Sequence, residues 1–290
     1  MKVAIYGRAH KSVSSAEAMQ TLCNKLEKVG VEVFVYEPFL KQVDKKLKVK
    51  NVFRNHEDIN GKVQFLFSIG GDGTLLETVT LVRDSGIPVM GINTGRLGFL
   101  SSISKDEIEP AVDSLLKKKY SLDKRALLEL DIKGKYFQEC KYALNEIAIQ
   151  KTDSSSMITI HASVNDKFLN SYWADGLIVA TPTGSTAYSL SCGGPIVMPE
   201  SENFVITPIA PHNLNVRPVI ISSNDVVTLE VESRSPNFLV SIDSHSEAVS
   251  SSVKLKLTKA NFSISLVKLP KHEFLSTLRG KLMWGVDKRN

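Results

Sequence analysis

Gly70-Gly71-Asp72-Gly73-Thr74 follows the apolar run Gln64 to Ile69 (QFLFSI) and precedes a helical pattern with Leu75, Leu76, Val79 and Val82 on one face. Three glycines in four positions permit positive φ and let backbone come close to a ligand. Amide N–H groups opening the next helix, with its dipole, favour a phosphate. A carboxylate would repel that phosphate, so Asp72 reads as a chemical group. It could accept a proton from an attacking hydroxyl, or hold a divalent cation that offsets phosphate charge. The plainer alternative is that Asp72 caps a helix and the glycines only make the turn. There is no GxxxxGK[ST], and Gly7-Arg8-Ala9-His10 does not complete a GxGxxG, so neither usual nucleotide fingerprint is present.

Three further clusters could carry chemistry. Asn93-Thr94-Gly95-Arg96-Leu97-Gly98-Phe99-Leu100 ends an apolar run (IPVMGI), where open α/β sheets place ligands; Arg96 could meet a phosphate or form a structural ion pair. Asn145-Glu146 interrupts the apolar strand YALNEIAIQ. An amide beside a carboxylate suits ribose hydroxyls, which donate and accept, although an edge strand could simply expose the pair. The longest cluster runs from Asp175 through GLIVATPTGSTAYSLSCGG to Pro195, where a strand enters Thr-Pro-Thr-Gly and a short helix opens. The hydroxyls of Thr183, Ser185, Thr186, Ser189 and Ser191 are dense for a plain turn, and Tyr188 could lie against a purine. GxSxG is missing, so these serines carry no hydrolase signature. Asp243 and His245 end a strand and could reach a ligand or sit in a surface turn, while His212 among prolines reads as structural. The six histidines are scattered and the three cysteines form no CxxC, so no protein-only metal site is expected. Any metal would be Mg²⁺ carried with nucleotide phosphates.

The elements that must hold these residues change character along the chain. Lys2 to Tyr6, Val31 to Tyr36, Gln64 to Ile69 and Ile87 to Ile92 read as strands, with a helix from Ala16 to Val29 capped by Ser14 or Ser15 and ended by Gly30. Such β-α-β alternation argues a parallel, Rossmann-like sheet. Lys41 to Lys50 reads as a solvated helix face or loop, and Ser104 to Lys119 as one more helix. From about Tyr120 to Pro270 helical periodicity fades. Short runs (ALLELDI, YALNEIAI, ITIHASV, GLIVAT, VVTLEV, FLVSID, VKLKLT, FSISLVKL) predict a β-rich, sandwich-like part, closed by a helix near Lys271 to Met283.

The 290 residues are 42% hydrophobic and 23% charged, a balance that excludes disorder and a disulfide scaffold. No apolar run approaches the roughly 20 residues of a membrane helix. The cysteines read as reduced thiols of a cytoplasmic protein. Net charge is +5, which suits an anionic small molecule and does not call for nucleic acid.

In order and spacing, GGDGTLL, NTGRLGFL, LNE and DGLIVATPTGSTAYSLSCGGP resemble the signature run of NAD kinases. PIAPHNLNVRP, SIDSH and the tail FLSTLRGKLMW extend the likeness over about residues 65 to 285. GGDGT alone is shared with phosphofructokinases and with diacylglycerol or sphingosine kinases; TPTGSTAYS with the Asn-Glu step makes the match specific. The resemblance implies an α/β domain over 1–120, a β-rich NAD-binding domain over 121–270, and a final helix over 271–290 that returns to the first. It implies ATP-dependent phosphorylation of the 2′-hydroxyl of the adenosine ribose of NAD, giving NADP, by a cytoplasmic homodimer or homotetramer joined through C-terminal domains. In that frame Asp72 takes the hydroxyl proton while Mg²⁺ screens the triphosphate. Gly70, Gly71, Gly73, Thr74 and Arg96 hold phosphate; Asn145 and Glu146 fix the ribose; Gly73, Asp175 and His245 line the NAD site. Thr186, Ala187, Tyr188, Ser189, Leu190 and Ser191 enclose adenine. Two other readings stand beside it: a GGDGT kinase acting on a lipid or sugar phosphate, and a non-catalytic NAD(P) sensor.

Overall fold

The computed structural model describes residues 1–10, 12–43, 49–95, 98–152, 156–270 and 273–284. Two compact units result, one from Met1–Lys124 with Ile264–Asn290, the other from Arg125–Ser263.

In the first unit, strands β1 (Lys2–Gly7), β2 (Glu32–Tyr36), β3 (Asn51–Phe53), β4 (Phe65–Ile69) and β5 (Val89–Ile92) pair in parallel, in the order β3-β2-β1-β4-β5. Every residue of β4 and β5 is buried, as unbroken apolar runs in a parallel sheet require. The first helix spans Val13–Lys28, with Ser12 as N-cap accepting the Ser15 N–H. It starts earlier than the sequence predicts, because Ser14 and Ser15 turn their hydroxyls to Thr94 instead of capping. Its buried Ala18, Met19, Leu22 and Leu26 join Val3, Val35, Phe67 and Met90 in one cluster, at about 1.5–3 kcal/mol for each large side chain removed from water. The stretch after GGDGT is two short helices, Asp72–Glu77 and Val79–Val82, where the sequence predicts one. Ser104 and Glu107 form a capping box ahead of helix Ile108–Leu116. Strand order reverses between β1 and β4, so the crevice at their carboxyl ends is the topological switch point where α/β sheets bind ligands. GGDGT leaves β4 there.

The second unit pairs a six-stranded antiparallel sheet with a second sheet around one core. The strands are β6 (Ser121–Ile132), β7 (Tyr142–Ala143), β8 (Glu146–Gln150), β9 (Ile158–Val164), β10 (Lys167–Ala174), β11 (Gly176–Ala180), β12 (Asn203–Ile209), β13 (Val219–Ser222), β14 (Val227–Glu232), β15 (Asn237–Ile242), β16 (His245–Ser250) and β17 (Leu255–Lys268). One sheet runs β13-β12-β11-β8-β15-β16; in the other, β10, β9, β14 and the start of β17 follow one another, with β6 beside β17 and β7 beside β6. Alternation sends Ile147 and Ile149 inward with Leu177, Val179 and Val240. It leaves Glu146, Ala148 and Gln150 on the opposite, outer face. Pro208 is tolerated in β12 because β13 stops pairing at Ile206, two residues earlier. VKLKLT and FSISLVKL, two runs in the sequence, are mostly one strand of 14 residues; from Ile264 on it belongs to the first unit, where Leu266 lies parallel to Val89 of β5.

The lysine-rich residues 44–48 and the expected helix start at Lys271 lie outside the described residues. The described part of the last helix spans Phe274–Leu282.

Candidate active site

In the first unit the Asp72 carboxylate accepts three consecutive backbone amides: Phe99 at 2.7 Å on Oδ2, Leu100 at 3.1 Å and Ser101 at 2.9 Å on Oδ1. The loop after β5 therefore wraps the side chain expected to do chemistry. Gly98 is required by this approach, since a Cβ there would overlap the carboxylate. The loop is held from below as well. Buried Asn93 accepts the Gly95 amide at 2.7 Å and donates to the Ser101 carbonyl at 3.3 Å. The Phe99 ring lies 6.3 Å from that of Phe274 and 5.5 Å from the Lys281 ammonium, so the last helix packs on it.

Arg8 closes the other side. Its guanidinium meets Glu77 at 2.7 Å and donates to the Gly73 carbonyl at 3.2 Å, while the Tyr6 hydroxyl donates to Glu77 at 2.6 Å. Burial, then the bond to Glu77, pushes the Tyr6 hydroxyl well above its ordinary range. The end of β1 is thus tied to the helix that carries Asp72. Among the phosphate candidates, Gly71 is exposed, whereas Thr74 is buried with its amide bonded to the Gly71 carbonyl at 3.0 Å. Arg96 lies outside the described residues.

In the second unit Asn145 and Glu146 enter β8 with Glu146 on the outer face. There Ala148, Ile178, Ala180 and Val205 form a small apolar floor under Tyr188 and Cys192. Tyr188 bridges the strand lengthwise: its amide donates to the Glu146 carboxyl, and its hydroxyl accepts from Gln150 at 3.0 Å. Asp175 precedes Gly176, which lies opposite Gln150, and pairs with Lys151 at 2.6 Å. Glu146, Tyr188 and Asp175 therefore share one strip, and Asn145 directly precedes Glu146 in the chain.

Glu146 is 8% exposed, and its Oε2 has no hydrogen-bond partner among the described residues. Burial, helped by the Asp243 charge and opposed by the Tyr188 amide, raises its pKa to about 8. A neutral carboxyl both donates and accepts, which matches a sugar hydroxyl. Asp243 is raised to about 6, chiefly by burial. Raised carboxyl pKa values make the folded chain hold protons that the unfolded chain has released. Both groups therefore weaken folding as pH rises from the ordinary carboxylate range, Asp243 until about 6 and Glu146 until about 8. Glu146→Gln removes the larger part. Its melting temperature relative to the parent should rise steadily from pH 5 to pH 8; a difference that stays flat or falls contradicts the assignment.

The dense hydroxyls of 181–191 are mostly internal ties. Ser185 bonds the carbonyl of Pro182 at 2.7 Å and the amide of Val197 at 2.9 Å. Ser189 is fully buried and pairs with Thr207 at 2.8 Å. Thr186 bonds back to the Thr183 carbonyl at 3.2 Å, and Ala187 caps the short helix Tyr188–Ser191. Leu190 is half-buried and Ser191 exposed. His245 does not join this strip. It pairs with Ile242, whose side chain faces the sandwich core, so hairpin register puts it on the opposite face, by Phe137 and Glu247. Trp173 stacks on His212 with ring centroids 4.5 Å apart.

Residues 7–120 match the ATP-NAD kinase N-terminal domain and residues 144–269 the ATP-NAD kinase C-terminal domain. An NAD kinase of Cytophaga hutchinsonii is 48% identical over 297 residues, and one of Bacteroides fragilis 48% identical over 294, each alignment covering 100% of both chains. The crystal structure of an NAD kinase from Archaeoglobus fulgidus in complex with ATP has a TM-score of 0.79 at 25% identity, covering 98% of this chain and 99% of that one. The crystal structure of yeast NADH kinase complexed with NADH shares the fold, with a TM-score of 0.87 at 24% identity over 98% of this chain and 88% of that one. With both domains matched in order and relatives aligned from end to end, this chain belongs to the ATP-NAD kinase family.

Proposed function

We propose that this enzyme transfers the γ-phosphoryl group of ATP to the 2′-hydroxyl of the adenosine ribose of NAD, giving NADP and ADP. The observation that carries the reading is the end-to-end alignment with NAD kinases over the full chain. The site chemistry supports it. A carboxylate offers about four lone-pair positions. Three on Asp72 take the amides of Phe99, Leu100 and Ser101, which among the described residues leaves one on Oδ2. That position accepts the ribose hydroxyl proton as its oxygen attacks phosphorus. Asn145 and the protonated carboxyl of Glu146 hold ribose hydroxyls, and Asp175 and the Tyr188 ring line the dinucleotide site. The amides of Gly71 and Gly73 receive phosphate oxygens.

Among the described residues no three His, Cys, Asp or Glu side chains converge. A divalent cation such as Mg²⁺ would act as a partner of the nucleotide phosphates, whose charge it neutralises. The exposed apolar side chains of Phe168, Trp173, Leu214 and Ile220 support assembly of a homodimer or homotetramer through the second unit. The free thiols of Cys23, Cys140 and Cys192 suit the cytoplasm.

Purified protein incubated with Mg-ATP and NAD should yield a product that a dehydrogenase specific for NADP reduces in the presence of its own substrate. Sedimentation of the same sample should give a multiple of the 32.0 kDa chain. Dinucleotide binding without any transfer contradicts the catalytic reading, and a 32.0 kDa species contradicts the assembly.

A further inference from the structure

The six backbone polar groups of Leu144, Asn145 and Glu146 are all satisfied by two residues. The Asp243 carboxylate accepts the three amides, Leu144 at 2.8 Å, Asn145 at 2.8 Å and Glu146 at 3.0 Å. The Asp243 amide donates to the Glu146 carbonyl at 3.0 Å. Thr181 takes the other two carbonyls: its hydroxyl donates to Leu144 at 2.6 Å and its amide to Asn145 at 2.8 Å. Asp243 sits in the two-residue turn between β15 and β16 with φ of 50°, a left-handed value that aspartate tolerates. Thr181 follows β11 directly. The two residues thus come from the strands on either side of β8 and grip its first residues from both flanks.

Buried backbone groups must be bonded somewhere, and a turn outside a sheet ladder usually meets several partners. Here one carboxylate and one threonine define the whole turn. The Asp243 acid, placed beside Glu146, also repels its charge.

We infer that Asp243 and Thr181 are positioning residues, whose bonds to the backbone fix the directions in which Asn145 and Glu146 present their side chains to substrate. This rests on the reading of Asn145 and Glu146 as the ribose site. Asp243→Asn keeps the shape of the side chain but sets an NH₂ group against an N–H donor. Thr181→Val keeps the shape and removes the hydroxyl bond, and Thr181→Ser retains it.

The test is a cycle of NAD dissociation constants, with KM for ATP measured alongside. Asp243→Asn and Thr181→Val should each weaken NAD binding about tenfold, the scale of one lost buried hydrogen bond, with KM for ATP within about threefold of the parent. Thr181→Ser should bind NAD as the parent does. In a chain already carrying Asn145→Ala and Glu146→Ala, Asp243→Asn should change NAD affinity by less than about threefold, since it acts through residues no longer there. Equal losses in both backgrounds, equal losses for NAD and ATP, or no loss at all overturn the inference. Should Asp243→Asn not fold, the threonine pair decides the question alone. If the doubly substituted chain binds NAD as tightly as the parent, the ribose reading falls, and the inference with it.

Discussion

Asp72→Asn should lower turnover about 10²–10⁴-fold, the range for a lost proton acceptor, while NAD affinity stays within about tenfold of the parent. An amide cannot take the ribose proton. Its oxygen can still accept two of the three loop amides, so the fold around it survives. Steady-state kinetics with a separate NAD binding isotherm separate the two effects. Gly98→Ala is the companion variant. Its methyl group would overlap the Asp72 carboxylate and push it off the amides of Phe99 to Ser101. The acid is still present, but it is aimed elsewhere, so turnover should again fall at least about tenfold. Parent-like turnover in Asp72→Asn removes the carboxylate from the chemistry.

The largest loss of stability is expected at Gly184→Ala. A Cβ at that position would overlap the carbonyl of Asn145, with the Asn145 Cα only 2.8 Å away. Backbone cannot rotate aside as the end of a side chain can. That carbonyl also accepts the Thr181 amide at 2.8 Å, so any shift opens the turn that carries Asn145 and Glu146. Overpacking of a buried site costs about 1–3 kcal/mol, and here a buried hydrogen bond is lost as well. The melting temperature should fall by roughly 10 °C, and the surviving folded protein should bind NAD poorly. A melting curve and a binding isotherm on the same sample check both. A variant as stable and as tight as the parent contradicts the packing described for the turn.

The parts of this architecture written in local chemistry are readable along the chain. GGDGT announces itself because an apolar strand, a glycine turn and a helical face follow one another between Gln64 and Val82. The amide clamps on Asp72 and Asp243 leave no such trace. Their partners are backbone N–H groups, which every residue except proline possesses, so no side-chain pattern marks Phe99 to Ser101 or Leu144 to Glu146 as recipients. Arg8 and Glu77 are opposite charges 69 positions apart, and only the adjacency of β1 and β4 brings them together. The placement of His245 is illegible for a different reason. Its strand (HSEAVS) is polar, so alternation gives no face, and the two-residue turn at Asp243 decides which way it points. The hydroxyls from Thr181 to Ser189 stand out as too many for a turn, and most of them tie the segment to itself.

The proposed reaction turns on one lone pair of the Asp72 carboxylate that the described residues leave open. A crystal structure of this enzyme with NAD and a non-hydrolysable ATP analogue measures it directly. The Asp72 Oδ2 atom should lie about 2.6–3.2 Å from the ribose 2′-oxygen, hydrogen-bonding reach for a proton transfer, with the amides of Phe99, Leu100 and Ser101 still bonded to the carboxylate. A 2′-oxygen held against some other acceptor, with Asp72 still facing only its loop, would contradict the account.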